Sequence, residues 1–184
     1  MIAPLEGLRL KGALWYQGES NAGDAEAYED LLTVLVKDWR GAFRDSDLSV
    51  AVIQLPRWGA LPSAAGTEGW GTIREAMRRA AAADDKVGLV VAIDLGDPMN
   101  LHPPEKQHVT VRVMDALAYG KPTVGPSGPE VARAERSGDV IRVVFEGVEG
   151  DLQTISSDTA IGFETCFEGA CRYVSGMVVN GDVM

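Results

Sequence analysis

Three short apolar runs, residues 8–16, 48–55 and 87–93, constrain this chain more than any other feature, because each is followed by a polar or glycine-rich break and then by residues at helical spacing. Strand and helix in alternation predict a parallel sheet with crossover helices, an α/β fold. The third run is nearly all apolar, as a central parallel strand covered on both faces should be.

Between the runs, Tyr28, Leu31, Leu32, Leu35 and Trp39 recur on one face of a helix that starts near Ala25, with Asp24 placed as its N-cap. Residues 57–71 are rich in Gly, Ala and Pro and read as a long loop holding Trp58 and Trp70. Thr72-Ile73-Arg74-Glu75 reads as a capping box opening a second helix, which Ile73, Met77 and Ala80 bury. Pro103 and Pro104 suit the first turn of a third helix with the stripe Val109, Val113 and Leu117. At Gly120 the pattern changes. Residues 121–129 read as a Pro/Gly linker, and residues 130–184 as a β-rich segment with strands at 140–145, 160–163 and 172–179. That segment stops at Val183-Met184 without the strands a closed sheet wants, which predicts a partial domain.

Composition narrows the functions. With 17 basic against 27 acidic side chains the net charge is -10, which argues against a nucleic-acid partner, since phosphate binding needs clustered Lys and Arg. No stretch approaches the ~20 apolar residues of a membrane span, and residues 1–6 lack the regions of a signal peptide. Cys166 and Cys171 flank Glu168-Gly169, which can turn a hairpin and bring the sulfurs face to face. A disulfide is open to them, but two free thiols are the expectation while compartment and connectivity are unspecified. Two sulfurs without a neighbouring histidine do not complete a tetrahedral metal site.

Two polar segments follow strand ends, where open α/β sheets keep their chemistry. Trp15-Tyr16-Gln17-Gly18-Glu19-Ser20-Asn21 offers an amide, a glycine and a carboxylate in succession; Asp94-Leu95-Gly96-Asp97-Pro98-Met99-Asn100-Leu101-His102-Pro103 carries one of the chain's two histidines. A serine esterase needs a nucleophile, a histidine, an acid to orient it and donors for the oxyanion. His102 is the candidate base, whereas His108 falls within a helix and points elsewhere. Glu19 is read either as a loop carboxylate capping backbone amides or as the orienting acid. The Gln17 side chain and the Gly18 backbone amide can face an oxyanion, glycine allowing close approach. Trp15, Tyr16, Trp58 and Trp70 can stack on sugar faces, although Trp15 and Trp39 also suit core packing.

These blocks, with Gln54-Leu55-Pro56, Ile73-Arg74-Glu75-Ala76 and the continuation through Lys106, Val109 and Arg112, resemble the sialate O-acetylesterase family of SGNH/GDSL hydrolases, close to the carbohydrate acetylesterases. The resemblance spans residues 1–119, and more loosely the β segment around Gly162-Phe163-Glu164. It implies a partial flavodoxin-like, SGNH-type parallel sheet with flanking helices, and removal of acetyl groups from acetylated sugars with no metal or organic cofactor. His102 would be general base and then acid, Glu19 or Asp97 its carboxylate, and Gln17, Gly18 and Asn21 the oxyanion or substrate-binding groups. An extracellular, periplasmic or lysosomal setting is implied by the family alone.

Two departures stand out. The family's nucleophile lies in a Gly-Gln-Ser-Asn type block, which is absent here; Ser20 belongs to a different block. Many SGNH enzymes also place an aspartate three residues before the histidine, where this chain has Met99, so Glu19 is the favoured acid. The expectation is the carboxy-proximal part of an esterase domain (1–120) whose serine comes from a missing N-terminal segment. The alternative is a non-catalytic carbohydrate-binding or structural module that keeps the esterase shape.

Overall fold

The computed structural model describes residues 2–59, 65, 69–118, 129–148, 150–154 and 157–184. The chain divides into two compact units, residues 1–60 with 69–127 and residues 61–68 with 128–184.

The first unit is the expected α/β layer arrangement. Strands β1 (Ala13–Trp15), β2 (Val50–Ile53) and β3 (Val87–Val90) form a parallel sheet in the order β1-β2-β3, with Leu14 beside Ala51 and Val52 beside Leu89. Helices α1 (Tyr28–Phe43), α2 (Gly69–Ala82) and α3 (Lys106–Ala118) flank it. Successive β2 side chains point to opposite faces, so the sheet has two cores. Val50 and Val52 meet Leu32, Val36, Ile73 and Met77 from α1 and α2. Ala51 and Ile53 meet Val109 and Val113 from α3. The central strand is wholly buried, which is why its sequence shows no alternation.

The strands are shorter than their apolar runs. Residues 8–12 lie outside β1, and the third run leaves the sheet after Val90, entering a 3-10 turn at Ile93–Leu95. Helix starts also differ from expectation. Glu19–Ala27 forms 3-10 turns broken at Asp24, which has non-helical backbone angles, and α1 begins at Tyr28 after Ala27. Asp24 is therefore not its cap. Of the anticipated stripe, Tyr28 and Leu32 are buried, whereas Leu31 is exposed and Val36 takes the inward place. Helix α2 opens three residues early, at Gly69, so Thr72 is inside it and the Glu75 carboxylate is held by Arg78 and Arg79 rather than reaching back. Pro103 and Pro104 precede α3 instead of forming its first turn. The greater part of the expected loop at 57–71, and of the linker at 121–129, lies outside the described residues.

The second unit is all β. Strands β4 (Glu130–Ser137), β5 (Val140–Glu146), β8 (Val178–Val179) and β9 (Asp182–Val183) pair in the order β4-β5-β9-β8, and β6 (Ala160–Phe167) pairs with β7 (Ala170–Gly176). Strand β4 was unexpected, its Glu130–Ser137 run being too polar to read as one. Glu168 and Gly169 both take positive φ, 47° and 82°, as a two-residue hairpin turn requires. That turn closes Cys166 onto Cys171 in a disulfide, so the free-thiol expectation is corrected. The turn sets the two cysteines directly opposite each other, within bonding reach. The dipeptide Asn180-Gly181 turns β8 into β9 in the same manner. A groove of about 1240 Å³ in this unit is lined by Val143, Phe163, Val174 and Val183 among others. No described helix is long and apolar enough to cross a membrane.

Candidate active site

Parallel strands all end at one edge of the sheet, so the loops after β1, β2 and β3 come out together there. The loop after β1 is held from beneath. Tyr28, at the start of α1, donates its hydroxyl to the Gln17 carbonyl (2.6 Å) and accepts from the Trp15 indole (2.9 Å). Trp15 in turn meets Trp39 edge-on, with ring centroids 5.7 Å apart. Both indoles thus pack against the core, as helical spacing suggested for Trp39 and as one of the two readings of Trp15 had it. Burial chiefly, with the Glu19 carboxylate adding to it, pushes the Tyr16 phenol pKa up; Tyr28 is raised by the same two causes against the opposing Trp15 hydrogen bond.

Gly18 is buried at φ 153°, and a Cβ there would sit 3.0 Å from Met77 Cε and 3.2 Å from Ile73 Cγ2. The backbone angle favours glycine, and a side chain here would also press on these neighbours. Its N–H donates to Glu19 Oε2 (2.9 Å), and Gln17 Nε2 donates to Asn21 Oδ1 (2.9 Å). All four groups named for this loop therefore bond within it, as two pairs. In this conformation the Gly18 amide is occupied by the Glu19 carboxylate.

The loop after β3 is clamped at its start. Arg112 of α3 grips Asp94 with two bonds (2.8 and 2.7 Å) and donates a third to the Val91 carbonyl (2.6 Å). The guanidinium holds the Asp94 carboxyl below the usual carboxylate range. Gly96 packs on the β2 end, where an added Cβ would lie 2.1 Å from the Arg57 carbonyl oxygen. Gly59 donates to the Pro98 carbonyl (3.1 Å). Beyond this, Asp97 accepts from the Met99 amide (2.8 Å) and Asn100 from the His102 amide (2.9 Å), local turns that project His102 into solvent. Met99 is 92% exposed.

Gln17, Gly18, Glu19 and Asn21 thus form one cluster after β1, and Asp97 and His102 share the loop after β3. Among the described residues no carboxylate bonds the His102 ring, and Ser20 is exposed with no histidine partner. His108 pairs with Glu105 on the α3 side (2.5 Å). Trp58 is 45% exposed after β2 and leans on Trp70, with ring centroids 5.4 Å apart; Trp70 donates to the Pro56 carbonyl. Two features went unread in the sequence. Tyr28 looked like one more apolar position, although a buried phenol needs a partner. Lys106 lies over the Tyr16 ring, 4.8 Å from Nζ to centroid, a contact that only folding brings together.

Residues 2–120 match the carbohydrate esterase family described as sialic acid-specific acetylesterase. The chain is 32% identical over 149 residues to a sialate O-acetylesterase of Mus musculus, covering 70% of this chain and 27% of that protein. The Homo sapiens sialate O-acetylesterase is 31% identical over 149 residues, with 70% and 28% covered. The chain therefore spans little more than a quarter of the length of these relatives. The crystal structure of a carbohydrate acetylesterase from Xanthomonas citri superposes with a TM-score of 0.81 at 27% identity, covering 98% of this chain and 43% of that one.

Proposed function

Since the chain belongs to the sialic acid-specific acetylesterase family of carbohydrate esterases, we propose that it forms the base-and-acid part of a carbohydrate O-acetylesterase, with residues 1–120 as the carboxy-proximal part of the hydrolase domain, 121–129 as a linker and 130–184 as a partial accessory β-domain. The observation that carries the reading is placement: the loops bearing Glu19 and His102 leave the same edge of one parallel sheet, where ligands of such folds bind.

In the proposed reaction His102 takes the proton of a serine hydroxyl as its oxygen attacks the acetyl carbonyl. The proton then passes to the departing sugar oxygen, leaving an acetyl-enzyme that water hydrolyses by the same base. Glu19, swinging off the Gly18 amide, would orient the imidazole and free that amide for the oxyanion; Asp97, on the histidine's own loop, is the other carboxylate within the proposal. Gln17 and Asn21 would complete the donor set. No serine of residues 1–184 stands in a Gly-Gln-Ser block, so the nucleophile is assigned to a segment outside them. The exposed Trp58 face supplies a platform for an acetylated sugar ring.

The test is hydrolysis of p-nitrophenyl acetate and of an O-acetylated sialic acid. The 184-residue chain is expected to be inactive, and the complete protein active in a manner lost in His102→Ala. Turnover by the short chain that depends on His102 would place the nucleophile within it and refute that assignment.

The second reading, a non-catalytic sugar-binding module, draws on the occupied Glu19 carboxylate and on Trp58. Calorimetric titration with acetylated sugars separates the two: binding that survives Glu19→Gln and His102→Ala but not Trp58→Ala favours the module.

A further inference from the structure

We propose that Lys106, stacked on the Tyr16 ring, is a positioning residue that holds the His102-bearing loop in register with the Gln17–Glu19 loop. It rests on the reading that places both loops in one site, and adds to it the contact that keeps them together.

The loop after β3 needs an anchor at each end. Its start is held by the Asp94–Arg112 grip and by Gly96 against Arg57. Pro103 is buried, and Lys106 is the first residue of α3, so the exit is pinned at the point where the chain re-enters regular structure. There the Lys106 ammonium meets Tyr16 rather than an acid, in a chain with 27 acidic and 17 basic side chains. Among the described residues it has no carboxylate partner. Tyr16 packs against the same core cluster as Val109 and Val113 of α3 and immediately precedes Gln17. The ring therefore belongs to the backbone that carries the oxyanion and acid candidates, while the cation belongs to the backbone that carries the base. A misplacement of about 1 Å between such groups is enough to lose a productive geometry.

The test uses NMR of the 184-residue chain, which needs no turnover. Lys106→Met should shift the His102 Cε1–H resonance and the Gly18 and Glu19 amides together, and speed exchange of the Gly18 amide about two- to fivefold, the range expected for an exposed cation–π contact. Its thermal midpoint should fall by no more than about 4 °C. Tyr16→Leu should do the same, with no further change in the double variant. Lys106→Arg and Tyr16→Phe, which keep cation and ring, should retain the parent spectrum. The idea is overturned if Lys106→Met alters only resonances of residues 104–108, or if Lys106→Arg perturbs the spectrum as much as Lys106→Met. Should Tyr16→Leu fail to fold, the Lys106 pair, on an exposed side chain, decides alone. Coupled resonances in a protein whose complete form lacks esterase activity would refute the functional reading and leave this contact standing.

Discussion

Gly96→Ala tests whether the His102 loop is seated on the end of β2 as described. A Cβ at this position would lie 2.1 Å from the Arg57 carbonyl oxygen, 2.4 Å from its nitrogen and 2.7 Å from its carbonyl carbon. All three are backbone atoms, so no rotamer change relieves the clash; the loop must retreat from Arg57 by about 1.3 Å, from 2.1 to 3.4 Å, to restore ordinary contact. That retreat strains the bonds from Arg57 N to Ile93 O and from Gly59 N to Pro98 O, 3.4 and 3.1 Å long. Overpacking against immovable backbone, with two weakened hydrogen bonds, is expected to cost about 2–4 kcal/mol, a fall of roughly 6–12 °C in melting temperature. All four tryptophans, Trp15, Trp39, Trp58 and Trp70, lie in the first unit, so denaturant unfolding followed by indole fluorescence reports on it. Gly23→Ala is the control: nothing lies within 4 Å of its added Cβ, and a change below about 0.5 kcal/mol is expected. A Gly96→Ala midpoint within that same margin, with an unchanged denaturant slope, would refute the close approach of the two loops.

Arg40 of α1 bonds Asp84 at 2.5 and 3.1 Å and the Leu48 carbonyl at 3.2 Å; Arg40→Ala should cost about 1–3 kcal/mol in the same assay. The Arg40 hydrogen bonds are the largest cause holding the Asp84 pKa below its ordinary value. A depressed folded-state pKa gives stability that is complete above the unfolded-state value, about 3.9, and is lost as pH falls through the folded-state value; acid titration of Arg40→Ala should lack this component. Reducing Cys166–Cys171 reopens a small loop, for which chain entropy predicts a loss of about 2 kcal/mol, visible as faster amide exchange in β6 and β7. Gly41→Ala, in the last turn of α1 with open space around the added methyl, should raise stability by up to about 0.5 kcal/mol, since glycine costs helix entropy.

Much of this molecule could be read from residue order. Helical spacing located α1, α2 and α3 within a few residues, because burying one face sets a period that survives any tertiary context. Glu168-Gly169 announced its hairpin, since few dipeptides tolerate two positive φ angles. The motif residues also marked two polar loops as the candidate site. Boundaries were harder: Asp24 and Thr72 had the chemistry of helix caps, but the turns at Glu19–Ala27 and the early start at Gly69 gave the backbone amides other partners. Strand β4 was invisible because both faces of its Glu130–Ser137 segment are largely exposed, and no apolar alternation is needed where nothing is buried.

What residue order alone determined was the α/β layering and the identity of the polar loops, both consequences of local periodicity and of residue chemistry. Tertiary structure decided which of those groups hold one another: that Glu19 sits on the Gly18 amide, that Arg112 grips Asp94, that Lys106 covers Tyr16, and that two cysteines close a bridge. Contacts between residues distant in sequence, or choices among several local partners, depend on the packing of whole elements, and no periodicity in the chain encodes them.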